Sequence, residues 1–237
     1  MKAKIIELEE IDSTNLFCKR CNVDEFDCDL IVTAERQTAG MGTKNRSFSS
    51  EEGGLYISLM RKFEGFDFAN TFSIMINSCV AVCETLEEIG LQPNIKWAND
   101  VLVGGKKICG TLIENRLLSG GVCISIVGMG INVNNPLPEE LKDTATSVSE
   151  LKGKKYSVKK IRKILIKKLQ NDYTVADYKR YVNWFGRDVQ LICGDEVVPA
   201  TAIDVDNNGS LVCKIGGELK KINSAEMSLR LTSCNTI

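Results

Sequence analysis

Short β-rich runs fill the last part of the chain, and they constrain its fold more than any other feature. After Gly186, five such runs are separated by Gly-Asp, Asp-Asn-Asn-Gly and Gly-Gly turns. Five short strands within about fifty residues predict a small closed β-barrel. The runs are Val189–Cys193, Val197–Val205, Leu211–Ile215, Leu219–Ile222 and Met227–Leu231.

The preceding part of the chain alternates between strand and helix patterns. Apolar residues recur at helical spacing from Thr71 to Ile89, and Ser13 or Thr14 is suited to begin a helix that runs to Cys21. We therefore expect an α+β fold, with a mixed sheet and packed helices over residues 1–185 and the barrel over 186–237. The other predicted elements are strands at 1–10, 30–34, 54–60, 95–97, 108–114 and 122–127, a hairpin turn at Gly104-Gly105, and helices at Ser157–Gln170 and Val175–Phe185.

The chain contains no histidine, which excludes several kinds of site. A Ser-His-Asp triad, a Cys-His pair, a Cys₂His₂ zinc finger and an imidazole general base are all impossible. Any chemistry must use Lys, Arg, carboxylates, hydroxyls, backbone amides or a metal ion. This composition favours substrate positioning and charge stabilisation over proton shuttling.

Charge and hydropathy indicate a cytoplasmic protein. Thirty Lys and Arg residues against 31 Asp and Glu give a formal net charge of −1, which argues against a bulk nucleic-acid binder. No apolar stretch approaches the roughly 18 residues of a membrane span, and the first ten residues are no signal peptide. The ten cysteines include several within apolar runs, so we expect reduced thiols that pack as small hydrophobes.

A glycine-punctuated basic loop follows the predicted strand at 30–34. In Gly40-Met-Gly-Thr-Lys-Asn-Arg46, two glycines allow a tight turn that exposes backbone N–H groups, and Lys44 and Arg46 add positive charge. Such a loop suits an anionic ligand, above all phosphate. The spacing matches neither a Walker loop nor GxGxxG, so an exposed turn is the alternative.

A lysine within an apolar strand marks a second candidate site. Lys96 lies between Ile95 and Trp97, so its ammonium is either partly desolvated or directed into a cleft. Asp100 follows at the strand end, where it could hold Mg²⁺ together with phosphate oxygens, and Lys107 returns on the other arm of the hairpin. The alternative is an Asx turn beside a surface lysine.

Two further segments offer small or flat ligands a place to bind. Glycines in Gly128-Met-Gly-Ile-Asn132 permit close approach of a flat ligand, and the Asn132 amide pairs a donor with an acceptor, as an adenine edge requires. Ser13-Thr-Asn15 offers polar groups for a carbonyl or ureido ligand. The alternatives are a strand-end turn and a plain helix cap.

Together these segments resemble the biotin protein ligases in their order and spacing. The opening motifs of that family are similar to Ser13-Thr-Asn15, Glu35-Arg-Gln-Thr-Ala-Gly-Met-Gly42 and Phe48-Ser-Ser-Glu-Glu-Gly-Gly-Leu-Tyr56. The rest of the signature looks like Lys96-Trp-Ala-Asn-Asp100, Lys107-Ile-Cys-Gly-Thr-Leu-Ile-Glu114 and Gly128-Met-Gly-Ile-Asn-Val133. The resemblance covers essentially the whole chain, and it implies a class II synthetase-like catalytic domain followed by an SH3-like β-barrel.

The resemblance also implies a two-step ligase reaction that uses ATP, biotin and Mg²⁺. Biotin and ATP would first give biotinyl-5′-AMP and pyrophosphate. A specific lysine of a biotin carboxyl carrier protein would then attack the mixed anhydride and release AMP. Neither step requires a histidine, since alignment and charge neutralisation supply most of the catalysis. A biotin-binding or adenylate-binding protein with weakened catalysis and a related lipoate-type acyl ligase remain as alternatives.

The resemblance assigns roles residue by residue. The catalytic residues would be Lys96, Asp100, Lys107 and Arg46. Lys96 would lie near the biotin carboxylate and the α-phosphate. Asp100 and Lys107 would serve the phosphates, the metal and the acceptor lysine. Biotin would be bound by Ser13, Thr14, Asn15, Gln37, Met41, Gly42, Thr43 and Lys96. The nucleotide would be bound by Gly40, Lys44, Phe48, Asn132 and Arg230, with Phe48 standing where the family usually has Trp.

Expectations about partners follow from the same comparison. The chain starts directly at the catalytic domain, so we expect no helix-turn-helix domain and no nucleic-acid partner. We expect no membrane partner, and the oligomeric state is either a monomer or a homodimer. The acceptor would be a biotin carboxyl carrier protein or domain.

The adenylate loop departs from the family pattern. The family loop typically reads Gly-Arg-Gly-Arg-x-Gly-Arg, whereas Met41 and Thr43 here replace two arginines and Asn45 replaces a glycine. Ala98 also replaces a proline, and this change should be mild because proline there mainly restricts the backbone. Each lost guanidinium removes charge-assisted hydrogen bonds worth about 1.5–3 kcal/mol. The sequence therefore predicts that activity survives but that the adenylate is held less tightly.

Restoring both arginines should slow adenylate release. If the Met41→Arg/Thr43→Arg variant regains one such bond, its rate of biotinyl-adenylate dissociation falls by about 10-fold or more, measured by rapid filtration. A Met41→Leu/Thr43→Ser control should release the adenylate at the original rate. An unchanged rate in the arginine variant would contradict the prediction.

Overall fold

A seven-stranded mixed sheet forms the larger part of the structure, which is a computed structural model describing residues 2–22, 28–64, 70–223 and 227–231. Its strands lie in the order β1-β2-β3-β7-β6-β5-β4. Their bounds are β1 Ala3–Ile11, β2 Asp29–Gln37, β3 Leu55–Phe63, β4 Pro93–Lys96, β5 Asp100–Val103, β6 Lys106–Leu117 and β7 Cys123–Ile131.

Loop lengths explain the directions of these strands. The connection between β1 and β2 contains a helix, α1 (Thr14–Arg20), and the two strands pair in parallel. The remaining neighbours in this sheet pair antiparallel. Between β5 and β6, Gly104 and Gly105 have φ angles of 60° and 79°, as a two-residue hairpin turn requires.

Helices cover both faces of the sheet. The long helix α2 (Asn70–Glu88) buries Ile76, Val80 and Leu86 against one face in the main apolar core. Helix α1 lies on the other face, where Cys18 joins a smaller apolar cluster with residues of β2, β3 and β7. The remaining helices are α3 (Val148–Lys152), α4 (Val158–Lys168) and α5 (Val175–Arg180).

A separate five-stranded antiparallel sheet follows α5. Its strands are β8 Asp188–Cys193, β9 Glu196–Val205, β10 Leu211–Ile215, β11 Glu218–Ile222 and β12 Ser228–Leu231, in the order β11-β10-β9-β8-β12. Leu191, Ala202 and Leu211 fill its interior. The predicted fold class, a mixed sheet with helices and a small C-terminal β-structure, is therefore confirmed. The exact division at residues 185 and 186 stays a prediction.

Two helices differ from the sequence-based expectation. The third predicted helix was expected to reach Phe185, but α5 ends at Arg180. The following residues bond to β4 instead, since Ile95 donates its N–H to the Tyr181 carbonyl and the Trp184 indole donates to the Ile95 carbonyl. The five-residue α3 was not predicted, although Ser147 and Glu150 form a capping box at its start.

Three further features of the described residues concern their cysteines, membrane spans and metal ligands. The nine cysteines in the described ranges have free thiols, most of them in the apolar cores. Within those ranges, no helix is long and apolar enough to cross a membrane. The described residues also contain no group of three or more Cys, Asp or Glu side chains that could hold a metal ion.

Candidate active site

Two adjoining cavities open where α1, the 40–46 loop and the β4–β7 strands meet. The smaller cavity is bordered by α1 and by the glycines of β6 and β7. The larger is an open groove between the main sheet and the C-terminal barrel. Both are lined by Gly42, Thr43, Phe48, Asn99 and Lys107.

A hydrogen-bonded chain of polar groups forms one wall of the smaller cavity. The Thr14 N–H and hydroxyl both donate to Gln37 Oε1, at 2.8 and 3.1 Å. Gln37 Nε2 in turn donates to Ser50 Oγ at 2.9 Å. Gln37 is thus held with a fixed amide orientation, at the edge of a cavity that Thr14 also lines.

Asn15 is fixed by partners that are distant in the sequence. Its Nδ2 donates to Glu114 Oε2 at 2.9 Å, and Glu114 Oε1 accepts from Lys19 at 2.6 Å. Ser58 Oγ lies 2.6 Å from Asn15 Oδ1 and 2.7 Å from Thr14 Oγ1, so its single proton can reach either oxygen. These contacts satisfy buried polar groups that would otherwise be costly.

Ser13 stands at the N-cap of α1 but does not act as a cap. Its side chain is buried, and within the described part of the chain it accepts no hydrogen bond from the first turn of the helix. An N-cap serine normally accepts such a bond. Ser13 also lines the smaller cavity, so its hydroxyl is a candidate to bind a ligand there. This geometry weakens the plain-cap alternative for Ser13-Thr-Asn15.

Glycines form the floor of the smaller cavity, where larger residues would collide with neighbouring side chains of the protein. Gly110 on β6 pairs with Gly130 on β7. A Cβ at Gly130 would press into the Phe48 ring, and a Cβ at Gly128 would overlap Asn15 Oδ1. The sequence predicted that these glycines let a flat ligand come close to the backbone. In the structure the side chains of Asn15 and Phe48 lie in that position.

Lys96 carries an ammonium that is half-buried in the groove. Burial lowers the pKa of Lys96, and the positive charges of Lys107, Arg46 and Arg230 lower it further, while Asp100 opposes the shift. Within the part of the chain that the structure describes, Lys96 forms no ion pair. Asp100 is instead paired with Lys107 at 2.6 Å. Such an ammonium is well suited to bind an anion, which would relieve the repulsion among these cations.

The predicted catalytic residues lie together in this groove. Lys96, Asp100, Lys107 and Arg46 all line it, and so do the predicted nucleotide residues Lys44, Phe48, Asn132 and Arg230. Lys107 Nζ also lies 5.9 Å from the centre of the Phe48 ring. Among the predicted biotin residues, Ser13, Thr14, Asn15, Gln37, Met41, Gly42 and Thr43 line the smaller cavity, whereas Lys96 lines the groove.

The 40–46 loop is closed on itself by backbone hydrogen bonds. Gly42 donates its N–H to the Arg46 carbonyl at 2.7 Å, and Phe48 donates to the Gly40 carbonyl at 2.8 Å. Lys44 has a φ of 56°, which is uncommon for a residue with a side chain. The Gly42 donor expected for an anion is therefore engaged within the loop. Gly40 lines neither cavity, and it lies so close to Ser50 and the Phe48 carbonyl that a Cβ there would collide with both.

Asn132 has a structural role at the edge of the groove. Its Nδ2 donates to the Thr146 carbonyl, and its Oδ1 accepts from Asn135 Nδ2, both at 3.2 Å. These bonds tie the end of β7 to the segment that leads into α3. One donor hydrogen and one lone pair of the amide remain, so a contact with adenine stays a prediction.

Three contacts that hold the candidate site were not predicted from the sequence, although Asn99 itself lies in the Lys96–Asp100 motif. Glu114 and Ser58 hold the α1 side chains, and Asn99 donates from Nδ2 to the Thr111 carbonyl at 2.6 Å. Glu114 falls inside a motif that the sequence singled out, but its partner Asn15 is 99 positions away. The available signal for Ser58 was a serine among the apolar side chains of β3, where it is buried like its neighbours.

Comparisons with known proteins show which family the chain is similar to. A model of the biotin/lipoate A/B protein ligase family matches residues 7–132, and a model of the biotin protein ligase C-terminal domain matches residues 185–230. The bifunctional ligase/repressor BirA of Bacillus subtilis is 34% identical over 84% of this chain, and the match spans 66% of that relative's length. The biotin–[acetyl-CoA-carboxylase] ligase of Mycobacterium tuberculosis is 24% identical, over 84% of this chain and 78% of the relative.

A solved structure shares the whole architecture. The biotin protein ligase from Aquifex aeolicus in complex with biotin and ATP superposes with a TM-score of 0.77 at 29% identity. The superposition covers 96% of this chain and 99% of that one. The chain therefore resembles this structure in both the main sheet and the C-terminal barrel.

Removing the Ser58 hydroxyl should destabilise the protein by loosening α1. Ser58→Ala leaves the buried Asn15 and Thr14 oxygens short of a donor, which we expect to lower the free energy of unfolding by about 1–3 kcal/mol in urea titrations. Ser119→Ala, at the exposed tip of the β6–β7 hairpin, should change it by less than about 0.5 kcal/mol. Equal effects of the two substitutions would contradict the described network.

Proposed function

Since the chain belongs to the biotin/lipoate A/B protein ligase family, we propose that it is a biotin protein ligase. It forms biotinyl-5′-AMP and pyrophosphate from biotin and ATP. It then transfers the biotinyl group to a specific lysine of a biotin carboxyl carrier protein and releases AMP. The ligand names of the Aquifex aeolicus structure and the acetyl-CoA-carboxylase named in the Mycobacterium tuberculosis relative support these substrates and this acceptor.

One observation carries the proposal. A small cavity with one hydrogen-bonded polar wall opens into a groove lined by seven cationic side chains that include Lys96. In this proposal the biotin ring system binds in the smaller cavity, beside its hydrogen-bonding wall, and the triphosphate binds in the cationic groove. The junction between them is where a carboxylate and an α-phosphate must meet. The cationic members are Lys44, Arg46, Lys96, Lys106, Lys107, Arg187 and Arg230.

The biotin side of the site uses hydrogen bonds. The ureido and ring region of biotin is contacted by Ser13, Thr14 and Gln37. The Ser13 hydroxyl is not used as a helix cap, and Thr14 and Gln37 hold each other in place by hydrogen bonds. Asn15 supports them from the Glu114 and Ser58 network. A preorganised set of this kind loses little entropy when the ligand binds.

The first chemical step needs no proton transfer. A carboxylate oxygen of biotin attacks the α-phosphorus, a P–O bond forms, and the bond to the β-phosphate breaks as pyrophosphate leaves. Negative charge builds up on the α-phosphate oxygens, and Lys96 lies beside that position. Because its ammonium is half-buried, its interaction with this charge is stronger than it would be in water.

The second step requires that the acceptor lysine lose a proton. Its amine attacks the acyl carbon, a C–N bond forms, and the bond to the AMP oxygen breaks. We propose that Asp100 accepts this proton, and its 2.6 Å ion pair with Lys107 holds the carboxylate in place. No imidazole is available for this role, because the chain has no histidine.

Magnesium enters with ATP in this proposal. Mg²⁺ typically binds one or two carboxylates together with substrate phosphates rather than a cage of protein ligands. Asp100 is a carboxylate in the groove that fits this mode, and the described residues contain no cluster for a resident metal ion. The metal would neutralise charge on the departing pyrophosphate.

Biotin-dependent release of pyrophosphate tests the function directly. The purified protein is mixed with ATP and Mg²⁺, with biotin in one sample and lipoate in another, and pyrophosphate is quantified by a coupled assay. We expect release with biotin only. Lys96→Gln should lower the rate by about 100-fold or more, because it removes the charge that stabilises the transition state.

Matched controls separate the possible failures. Lys159→Gln, on the exposed face of α4, should leave the rate unchanged. Release with lipoate alone would point to the other activity of the family and overturn the proposal. Tight biotin binding without release would mean a binding protein that has lost its chemistry.

A further inference from the structure

Four hydrogen bonds hold the segment Ile95–Asn99, which carries Lys96, from outside the main sheet. Two of them join Ile95 to the chain after α5: the Ile95 N–H donates to the Tyr181 carbonyl at 2.8 Å, and the Trp184 indole donates to the Ile95 carbonyl at 2.7 Å. The other two lie on the far side of Lys96. The Tyr178 hydroxyl donates to the Ala98 carbonyl, and the Trp97 indole donates to the Gly209 carbonyl, both at 2.9 Å.

Tyr178 is built into the core as a fixed donor. Its side chain is completely buried, and its ring meets the edge of Phe72 at a centroid distance of 5.5 Å. Burial raises the pKa of Tyr178 well above its ordinary value, so the hydroxyl keeps its proton throughout the physiological range. A buried tyrosine hydroxyl usually has such a partner. Here the partner is the backbone two residues after Lys96.

The barrel supplies the second support through a rigid turn. Gly209 lies in the β9–β10 turn, where Asp206 accepts from the N–H groups of Asn208 and Ser210, each at 3.0 Å. Gly209 has a φ of 85°, and a Cβ there would collide with the ring of Phe72. The carbonyl that receives the Trp97 indole is therefore held in place. Lys179 of α5 further binds Asp204 of β9 at 2.7 Å.

We propose that Tyr178 and the Gly209 turn are positioning elements that set the location of the Lys96 ammonium. The inference rests on the proposed function, in which Lys96 lies at the reacting carboxylate and phosphate. Neither Tyr178 nor Gly209 lines the groove, so each acts only through the Lys96 segment. Fixing the backbone on both sides of Lys96 restricts where its side chain can reach. The C-terminal barrel thereby contributes to the chemistry of the main domain.

The Tyr178→Phe variant tests the proposal because it removes one oxygen and keeps the ring. Tyr181→Phe is a matched control, since the Tyr181 hydroxyl donates to Glu87 at 2.8 Å and not to the Lys96 segment. Tyr181 bonds to Ile95 through its backbone carbonyl, which the control keeps. Both variants are assayed for biotin-dependent pyrophosphate release at saturating ATP, with kcat and the KM for biotin determined separately.

We expect the two variants to differ in kcat. A displaced Lys96 should lower kcat of Tyr178→Phe by about 10- to 100-fold. Its KM for biotin should stay within about twofold, because the hydrogen-bonding wall of the smaller cavity is untouched. Tyr181→Phe should retain the original kcat. A Tyr178→Phe kcat within about twofold of the original, or an equal loss in Tyr181→Phe, would overturn the proposal.

A second measurement does not depend on turnover. The reaction of Lys96 with a limiting amine reagent is followed against pH, and the labelled peptide is quantified by mass spectrometry. In Tyr178→Phe the pH midpoint of Lys96 labelling should rise toward that of an ordinary lysine, because a displaced segment buries Lys96 less. An unchanged midpoint in Tyr178→Phe, or the same rise in Tyr181→Phe, would overturn the positioning role even if the protein proved inactive as a ligase.

A third variant addresses the possibility that Tyr178→Phe fails to fold. Trp97→Phe keeps an aromatic ring but removes the N–H that reaches Gly209. The positioning role predicts the same pattern, with reduced kcat and a raised Lys96 midpoint. If the original protein released no pyrophosphate, the proposed function would fail, and the labelling midpoints of the variants would still decide the positioning role.

Discussion

The site depends on the Lys96 ammonium, which is half-buried and forms no ion pair with any carboxylate among the residues that the structure describes. Lys96 lies near Lys107, Arg46 and Arg230, and all three raise the cost of its charge. The nearby carboxylate, Asp100, is already paired with Lys107. This arrangement is unfavourable in the free protein and becomes favourable when anions enter the groove. These positive charges are thus already in position to stabilise the transition state of the proposed reaction before the substrate binds.

The rest of the fold maintains that placement. Hydrogen bonds from α5, from the chain that follows it and from the barrel turn hold the backbone on either side of Lys96. Glycines on β6 and β7 leave room for Phe48 and Asn15 to lie close against the sheet. The C-terminal barrel is therefore part of the site's framework as well as a source of Arg230. A network of hydroxyl and amide groups keeps the smaller cavity polar and preformed.

Local sequence patterns predicted most of the fold, and the failures have physical causes. Alternation and turn residues located the barrel strands to within about one or two residues. The third predicted helix was too long, because residues after Arg180 bond to β4 and no local pattern reveals that partner. Motif spacing also identified residues that the fold brings into two adjoining cavities. The contacts that hold them were not predictable in this way, since Asn15 and Glu114 are 99 positions apart and Tyr178 and Ala98 are 80 apart.

The most direct test of this account is the pH midpoint for amine labelling of Lys96, measured with and without saturating biotin. The proposed geometry brings the biotin carboxylate to Lys96, where a negative charge stabilises the ammonium. The account therefore predicts that biotin raises the midpoint, whereas biotin methyl ester, which lacks the charge, does not. An unchanged midpoint in a sample shown to be saturated with biotin would contradict the placement of Lys96 at the reacting carboxylate.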